Sequence, residues 1–308
     1  MEHDDAGLPV IRQQDFEGEG PIDVFVELDS GRLDIQLEED SAGEVAVQVC
    51  ADPASQPPWS VGITGLLSWL GEQAGAAPSG ELAAEAVRRT TIDFTGRRLA
   101  VRSPREFPLR TVPLAIQVRA PSGSSVTARS GSADIAVDGM ADRLDASTGS
   151  GQVHAQRCRG SADVRTGSGD VRLGSVLGGL RVRTGSGEVD VASIEDTVDA
   201  AGGGGGIVQT GSGNVRLGAV RHDVSARTGS GDLTVVDASA GGLELTTGSG
   251  QLRVGIHPGV LAELDVSSGS GQARSDLPVG GPPPEVDVTL RVRARTGSGD
   301  ALVTSAPS

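Results

Sequence analysis

Thr166-Gly167-Ser168-Gly169-Asp170-Val171-Arg172-Leu173, followed six residues later by Leu180-Arg181-Val182-Arg183, carries the pattern that decides the fold. In an extended chain Val171 and Leu173 point to one side while Asp170 and Arg172 point to the other. Leu180 and Val182 then face inward again, with Arg181 and Arg183 outward. The unit is two short strands joined by a glycine-rich corner.

The corner recurs. Thr-Gly-Ser-Gly or a close variant begins at Ser130, Thr148, Thr166, Thr184, Thr210, Thr228, Thr247, Ser268 and Thr296, and five of the eight intervals are 18 or 19 residues. A fixed period of this size marks a repeat architecture, in which no unit buries its apolar face alone and each stacks on its neighbours. The expected fold is all-β: a β-solenoid, right-handed and β-helix-like, of roughly 18-residue two-strand coils. The corner glycines are expected to supply the positive φ of a sharp turn. The same corner could instead close a hairpin with Gly167-Ser168 as its loop, setting Arg165 opposite Asp170 and Asp163 opposite Arg172. An antiparallel β-meander of hairpins therefore stays open, because periodicity does not separate the two.

Composition favours a narrow core. The six aromatic residues (Phe16, Phe25, Trp59, Trp69, Phe94 and Phe107) all precede residue 108, and there is no Tyr. Nearly two thirds of the chain must pack Val, Leu, Ile and Ala, which a solenoid one or two side chains wide allows and a broad globular core of this size disfavours. There is no Lys among the 26 basic residues, which excludes lysine-based covalent catalysis. The net charge of −15 disfavours nucleic acid and anionic lipid surfaces as partners. Cys50 and Cys158 show neither metal nor redox spacing. The acidic start Met1-Glu2-His3-Asp4-Asp5 has no apolar leader, and no run reaches the length of a membrane span. These features predict reduced thiols in a cytoplasmic protein.

The chain divides into a loose N-terminus at 1–19, a strand region at 20–120, a repeat array at 121–304 and a tail at 305–308. Strands are expected at Ile22–Leu28, Leu33–Leu37, Val45–Val49, Thr91–Phe94, Arg98–Arg102 and Val112–Arg119, with Asp29-Ser30-Gly31 as a shortened corner. Residues 57–89 break the pattern. Val61–Gln73, with Ile63, Leu66, Leu67 and Leu70 at helical spacing, and Glu81–Arg89, rich in Ala and Glu, read as a helical insert. Its expected role is to cap an open end of the sheets. Val61–Gln73 carries no basic residue that would favour a lipid surface. The 26-residue interval from Thr184 to Thr210, with Gly202–Gly206, reads as an extra or degenerate half-unit. The 28-residue interval from Ser268 to Thr296, with Leu277-Pro278-Val279-Gly280-Gly281-Pro282-Pro283-Pro284, reads as an extruded loop.

The corner flanks covary. Arg129, Arg165, Arg183, Arg227 and Arg295 stand just before the motif, and the same five copies carry Asp134, Asp170, Glu188, Asp232 and Asp300 just after it. The other four have Ser147, Gln209, Thr246 and Ser267 before, and Gln152, Asn214, Gln251 and Gln272 after. Covarying positions usually touch, so an Arg–carboxylate pair is expected across each charged corner. An acid held in this way is a poor metal ligand. The calcium-binding nonapeptide roll also requires Gly-Gly-x-Gly-x-Asp, which this motif does not match.

With its nine Ser/Thr-Gly-Ser-Gly corners, its N-terminal strands Ile22–Val49 and the stretches Gly259–Asp265 and Val292–Thr296, the chain resembles the bacterial β-strand-repeat "putative adhesin" proteins of unknown function and is similar to the related head GIN domains. The resemblance implies a β-helix or related solenoid without established catalytic residues, and the family name implies an exterior location.

No reactive cluster stands out. His154, His222 and His257 fall in different units and His3 in the loose start. No Gly-x-Ser-x-Gly elbow joins a strand to a helix, and no Lys or helix follows the Gly-Ser-Gly runs as a phosphate loop requires. No cofactor or metal site is expected. The leading expectation is a non-catalytic repeat scaffold or interaction protein, with a protein partner or self-association. The alternatives are a polysaccharide-active β-helix enzyme and a self-assembling filament.

Overall fold

The computed structural model describes residues 10–39, 43–52, 79–195, 205–277 and 288–307. Its N-terminal strands are β1 (Ile11–Glu17), β2 (Asp23–Leu28), β3 (Gly31–Glu38), β4 (Glu44–Ala51), β5 (Thr91–Thr95), β6 (Arg98–Arg102) and β7 (Leu114–Pro121). The array follows as β8 (Ser125–Ser130), β9 (Asp134–Ala141), β10 (Leu144–Thr148), β11 (Val153–Cys158), β12 (Ala162–Thr166), β13 (Val171–Val176), β14 (Leu180–Thr184), β15 (Val189–Ile194), β16 (Gly206–Thr210), β17 (Val215–Val220), β18 (Val224–Thr228) and β19 (Leu233–Ala238). It ends with β20 (Gly241–Thr247), β21 (Leu252–Ile256), β22 (Ala262–Ser268), β23 (Ala273–Ser275), β24 (Leu290–Thr296) and β25 (Ala301–Ser305). One helix, α1, spans Ser79–Arg89.

From β6 onward successive strands alternate between two sheets. One has 13 strands in the order β1-β4-β7-β3-β9-β11-β13-β15-β17-β19-β21-β25-β23, the other 12 in the order β22-β24-β20-β18-β16-β14-β12-β10-β8-β2-β6-β5. Together they form a solenoid of eleven two-strand coils. Within the array every strand pairs in parallel with its copy one coil away, as Leu144↔Ala162↔Leu180 illustrates. Parallel pairing decides against the hairpin meander. It also shows that the 26-residue interval is a single coil of the stack, because β14 pairs directly with β16 and β15 with β17. The half-unit reading of the glycine run is corrected accordingly. Gly206 opens β16, and residues 202–204 lie outside the described residues.

Inward rows fill the space between the sheets. Val171, Leu173 and Val176 from one strand meet Leu180 and Val182 from the next, all buried, and the rows join into one continuous core. Between coils, the corners stack backbone on backbone. In Gly151, Gly169, Gly187, Gly213, Gly231, Gly250 and Gly299, a Cβ would lie 1.8–2.0 Å from a carbonyl oxygen of the neighbouring coil. None of these glycines has positive φ. The expectation that they serve a left-handed turn is thus corrected: they are needed because the next coil occupies the volume of a side chain. The motif's first residue completes the joint. In all nine copies its hydroxyl accepts the N–H three residues on, at 2.6–3.1 Å. In six copies it also donates to a corner carbonyl of the adjacent coil, at 2.8–3.4 Å. The seven Thr side chains are buried, so both hydrogen bonds are made where water cannot substitute.

Coils at both ends are stacked out of sequence order. At the N-terminal end the coil β6–β7 lies outside β2–β3, and Asp29-Ser30 is the shortened corner, where Asp29 O accepts Ser132 N–H and Ser30 O accepts Leu114 N–H. Beyond it, β4 adds antiparallel to β7, β1 adds antiparallel to β4, and β5 adds antiparallel to β6. Residues 11–17, expected to be loose, form the edge strand β1, which holds its place through backbone pairing and the Phe16–Phe94 contact across the two sheets, 5.1 Å between centroids. Helix α1 packs against β4 and β1, burying Ala86 and Val87. Glu81 in its first turn and Arg88 and Arg89 in its last suit the helix dipole. The expected segment Val61–Gln73 lies outside the described residues. At the other end β24–β25 sits between β20–β21 and β22–β23, so the Ser268 corner is outermost. There the inward residues Ala262, Leu264 and Val266 are half-exposed, and with Leu261 and Leu277 they line a cavity of about 920 Å³. Of the segment read as an extruded loop, 278–284 lies outside the described residues.

Gly169→Ala places a methyl group 1.8 Å from Gly151 O and is expected to cost about 3 kcal/mol or more as an overpacking change. Ser168→Ala, at an exposed position, should stay within about 0.5 kcal/mol. Urea unfolding of the two variants checks the contrast.

Candidate functional site

The coil register turns the two flanks of the corner into two separate columns. The acids and amides that follow it form one column on the 13-stranded sheet, in stacking order Asp134, Gln152, Asp170, Glu188, Asn214, Asp232, Gln251, Asp300 and Gln272. Here Asp134, Asp170, Asn214, Asp232 and Asp300 each accept, at Oδ1, the backbone N–H of the next member, at 2.8–3.0 Å. Every such acceptor is Asp or Asn. The one-carbon-longer Glu and Gln side chains make no such bond. Four of the five corner acids, Asp134, Asp170, Asp232 and Asp300, are therefore parts of the coil-to-coil ladder, and Glu188 is not.

The arginines before the corner lie on the outer face of the other sheet. Arg165 pairs with Asp163 at 2.8 Å, Arg227 with Glu244 at 3.1 Å and Arg295 with Asp265 at 3.5 Å. Asp170 pairs instead with Arg172, at 3.5 Å. Among the described residues none of the expected corner pairs (Arg129–Asp134, Arg165–Asp170, Arg183–Glu188, Arg227–Asp232 and Arg295–Asp300) forms an ion pair. The expectation failed because covariation arose without contact. Each column alternates charged with neutral members, apart from the adjacent coils bearing Arg165/Asp170 and Arg183/Glu188. Like charges one strand apart repel, and one pattern of alternation along the stack satisfies both columns at once.

The arginine column is continuous in register: Arg102, Glu27, Arg129, Ser147, Arg165, Arg183, Gln209, Arg227, Thr246, Arg295 and Ser267 follow one another across eleven paired strands. Its six arginines are all exposed. At the N-terminal end Arg98, Arg102 and Arg129 hold their guanidinium carbons 5.9, 5.1 and 5.9 Å from the Phe25 ring centre, a cation–π arrangement. None of these three has an ion-pair partner among the described residues. At the other end the column borders a groove of about 760 Å³, floored by Ile207, Ser225 and Gly242 and flanked by Arg291 and Arg293. These two arginines pair with Glu263 and Asp265, both at 3.4 Å. Sequence reasoning singled out the arginines but not Phe25 or the groove. The signal for both was register, which a one-dimensional repeat does not display at the shuffled ends.

Reactive groups elsewhere are dispersed. His257 Nδ1 lies 3.0 Å from Asp237 Oδ1, and His154 sits on the outer face of β11. No group of three His, Cys, Asp or Glu side chains among the described residues could hold a metal. Burial in the core pushes the Cys158 thiol up to about 11, and burial also raises Cys50 and Asp34. Such a thiol is protonated at neutral pH and a poor nucleophile.

No protein-family model and no curated protein matches the chain. Solved structures are similar to it along nearly their whole lengths. A "putative adhesin" from Bacteroides fragilis NCTC 9343 is 10% identical with a TM-score of 0.38, covering 96% of this chain and 97% of its own. One from Parabacteroides distasonis ATCC 8503 is 8% identical with a TM-score of 0.37, covering 95% and 97%. A "putative lipid binding protein" from the same strain is 10% identical with a TM-score of 0.40, covering 94% and 96%. The adhesin names agree with the resemblance drawn from the corner motif, but a likeness this remote says nothing of what this chain binds.

Two measurements check the site geometry. In double-mutant cycles Arg165 and Asp170 should couple by less than about 0.3 kcal/mol, and Arg165 and Asp163 by about 0.2–1 kcal/mol. Asp170→Ala should cost about 0.5–1.5 kcal/mol by freeing Glu188 N–H, a loss that Asp170→Asn avoids. The second measurement uses alkali. With no Lys or Tyr in the chain, few side chains titrate there. The unfolded Cys158 thiol ionises near 9.0 and the folded one near 11, so between these values only the unfolded chain sheds the proton. Stability should be intact below pH 9 and fall by roughly 3 kcal/mol as pH rises through 11. Cys158→Val, matching its register partner Val176, should remove most of that fall in urea titrations at pH 8 and 11.

Proposed function

We propose that the chain is a non-catalytic repeat scaffold whose solenoid faces bind other molecules. The observation that carries this reading is the division of labour at the corners. Four of their five acids are absorbed into the coil-to-coil ladder, and their arginines are displayed on an outer face. An active site on such a frame requires one place where acid and base converge outside the repeat. The groove beside β24 is the strongest contender, but its carboxylates Glu263 and Asp265 are ion-paired with Arg291 and Arg293. No helix among the described residues is long and apolar enough to cross a membrane. The two free thiols accord with the reducing, cytoplasmic location that belongs to this reading.

The filament alternative needs two open ends. The N-terminal end is covered by α1, β1 and β5, which supports at most a closed pair of chains meeting at the other end.

Incubation with acidic and neutral polysaccharides, with and without calcium, is expected to release no new reducing ends. Turnover abolished by Glu263→Gln or Asp265→Asn would establish the enzyme reading instead. Light scattering over a range of concentrations should show nothing larger than a dimer.

A further inference from the structure

The six arginines of the outer column have no structural task comparable to that of the corner acids. Arg165 and Arg183 stand directly opposite each other in adjacent parallel strands, where like charges destabilise a sheet. Arg183 has no ion-pair partner among the described residues to relieve this, nor do Arg102 and Arg129. The three that are paired, Arg165, Arg227 and Arg295, are more than half exposed, and their acids 30–58% exposed. Surface pairs of this kind contribute little and can exchange partners readily. A chain of net charge −15 thus maintains a file of guanidiniums along one face.

The spacing of the file defines what it fits. Neighbouring strands lie about 4.8 Å apart, so arginines on alternate strands recur at about 10 Å. In the sequence of strands, Arg102, Arg129 and Arg165 alternate with non-arginine positions, as do Arg183, Arg227 and Arg295. The arginines of the track are exposed along its length, and it ends beside the 760 Å³ groove with Arg291 and Arg293 on its flank. An enclosed small-molecule site is concave and mostly apolar, which this face is not. A linear polymer with oxyanions spaced at one or two units of a sugar chain matches both the direction and the interval. Guanidinium forks suit carboxylate and sulfate groups. A single-stranded nucleic acid would call for exposed rings on which bases stack, whereas Phe25, the aromatic residue on this face, lies beneath three guanidiniums.

We propose that the arginine column Arg102–Arg129–Arg165–Arg183–Arg227–Arg295 is a binding track for a linear acidic polysaccharide. The proposal rests on the interaction-scaffold reading and names its ligand class. Binding is carried by short-range contacts working against the repulsion of the whole chain, and it weakens steeply with salt.

The column itself supplies safe replacements, since Ser147, Gln209 and Thr246 already occupy it. The test is biolayer interferometry of the full chain at 20 and 200 mM NaCl, where the Debye length is roughly 20 and 7 Å. Polygalacturonate and dextran sulfate, which distinguish carboxylate from sulfate, are compared with neutral dextran and single-stranded DNA. Wild type should bind at least one acidic polysaccharide and not dextran. The triple variant Arg129→Ser, Arg183→Gln, Arg227→Thr should bind at least tenfold more weakly with an unchanged melting temperature; if it melts early, Arg183→Gln alone should bind about threefold more weakly. The control triple Arg172→Gln, Arg216→Gln, Arg253→Gln, on the outer face of the other sheet, should bind as wild type does. No polysaccharide binding at 20 mM NaCl, equal loss in the control, or tighter binding of DNA would each overturn the track. None of these results bears on the scaffold reading, which fails only if a polymer is cleaved.

Discussion

Successive corners bring their backbones so close that a carbonyl oxygen sits in the space a Cβ would need. This approach fixes the rest. Coils with full corners can stack only if that position is glycine, whereas Ala133 is accommodated where the first copy stacks on the shortened corner at Asp29-Ser30. The Thr hydroxyl that precedes it can then reach both its own corner and the next. Because corner N–H groups also bond coil to coil, as Gly167 N–H does to Gly149 O at 2.9 Å, the ladder of one sheet runs round the bend and into the other. The core needs no large side chains because the sheets are held at their margin as well as through their interior.

A margin of this kind imposes its register on everything outside it. Each residue type in the repeat becomes a column, and each column must tolerate its own copies at one strand spacing. Neutral copies interleaved with charged ones meet that condition. Asp and Asn do more, since their short side chains cap the N–H of the coil above. The arginines have no backbone group to serve and are left facing solvent. Structure and surface chemistry are thereby separated within one six-residue stretch.

Much of this was legible in the sequence. Alternation located β2, β3, β4 and the strands of the array, and the Ala- and Glu-rich run gave the described helix its place. Asp29-Ser30-Gly31 was readable as a corner because its flanks alternate. Three things were not readable. Glycine has two uses, positive φ and close approach, and only the position of Gly151 O beside Gly169 tells them apart. Covariation of Arg165 with Asp170 has two causes, contact and shared alternation, which coincide in a list of nine copies. The edge strand β1 is polar because it is held by its backbone, by Phe16 and by Arg12, which donates to Arg88 O and Thr90 O, so hydropathy does not mark it. The arginine track was half visible: its members were named, but their alignment with Arg102 and Phe25 depends on β6 and β2 stacking out of chain order.

That stacking has a consequence for how the molecule is made. During synthesis β22 and β23 leave the ribosome before β24 and β25, yet they belong outside them. A growing solenoid that simply wound its newest turn onto its latest edge would trap β22 against β20, in the place that β24 finally holds. The last turn must therefore either displace that early partner or find it still waiting. Templated winding from one end cannot complete this structure by itself, and the final closure is an insertion rather than an addition.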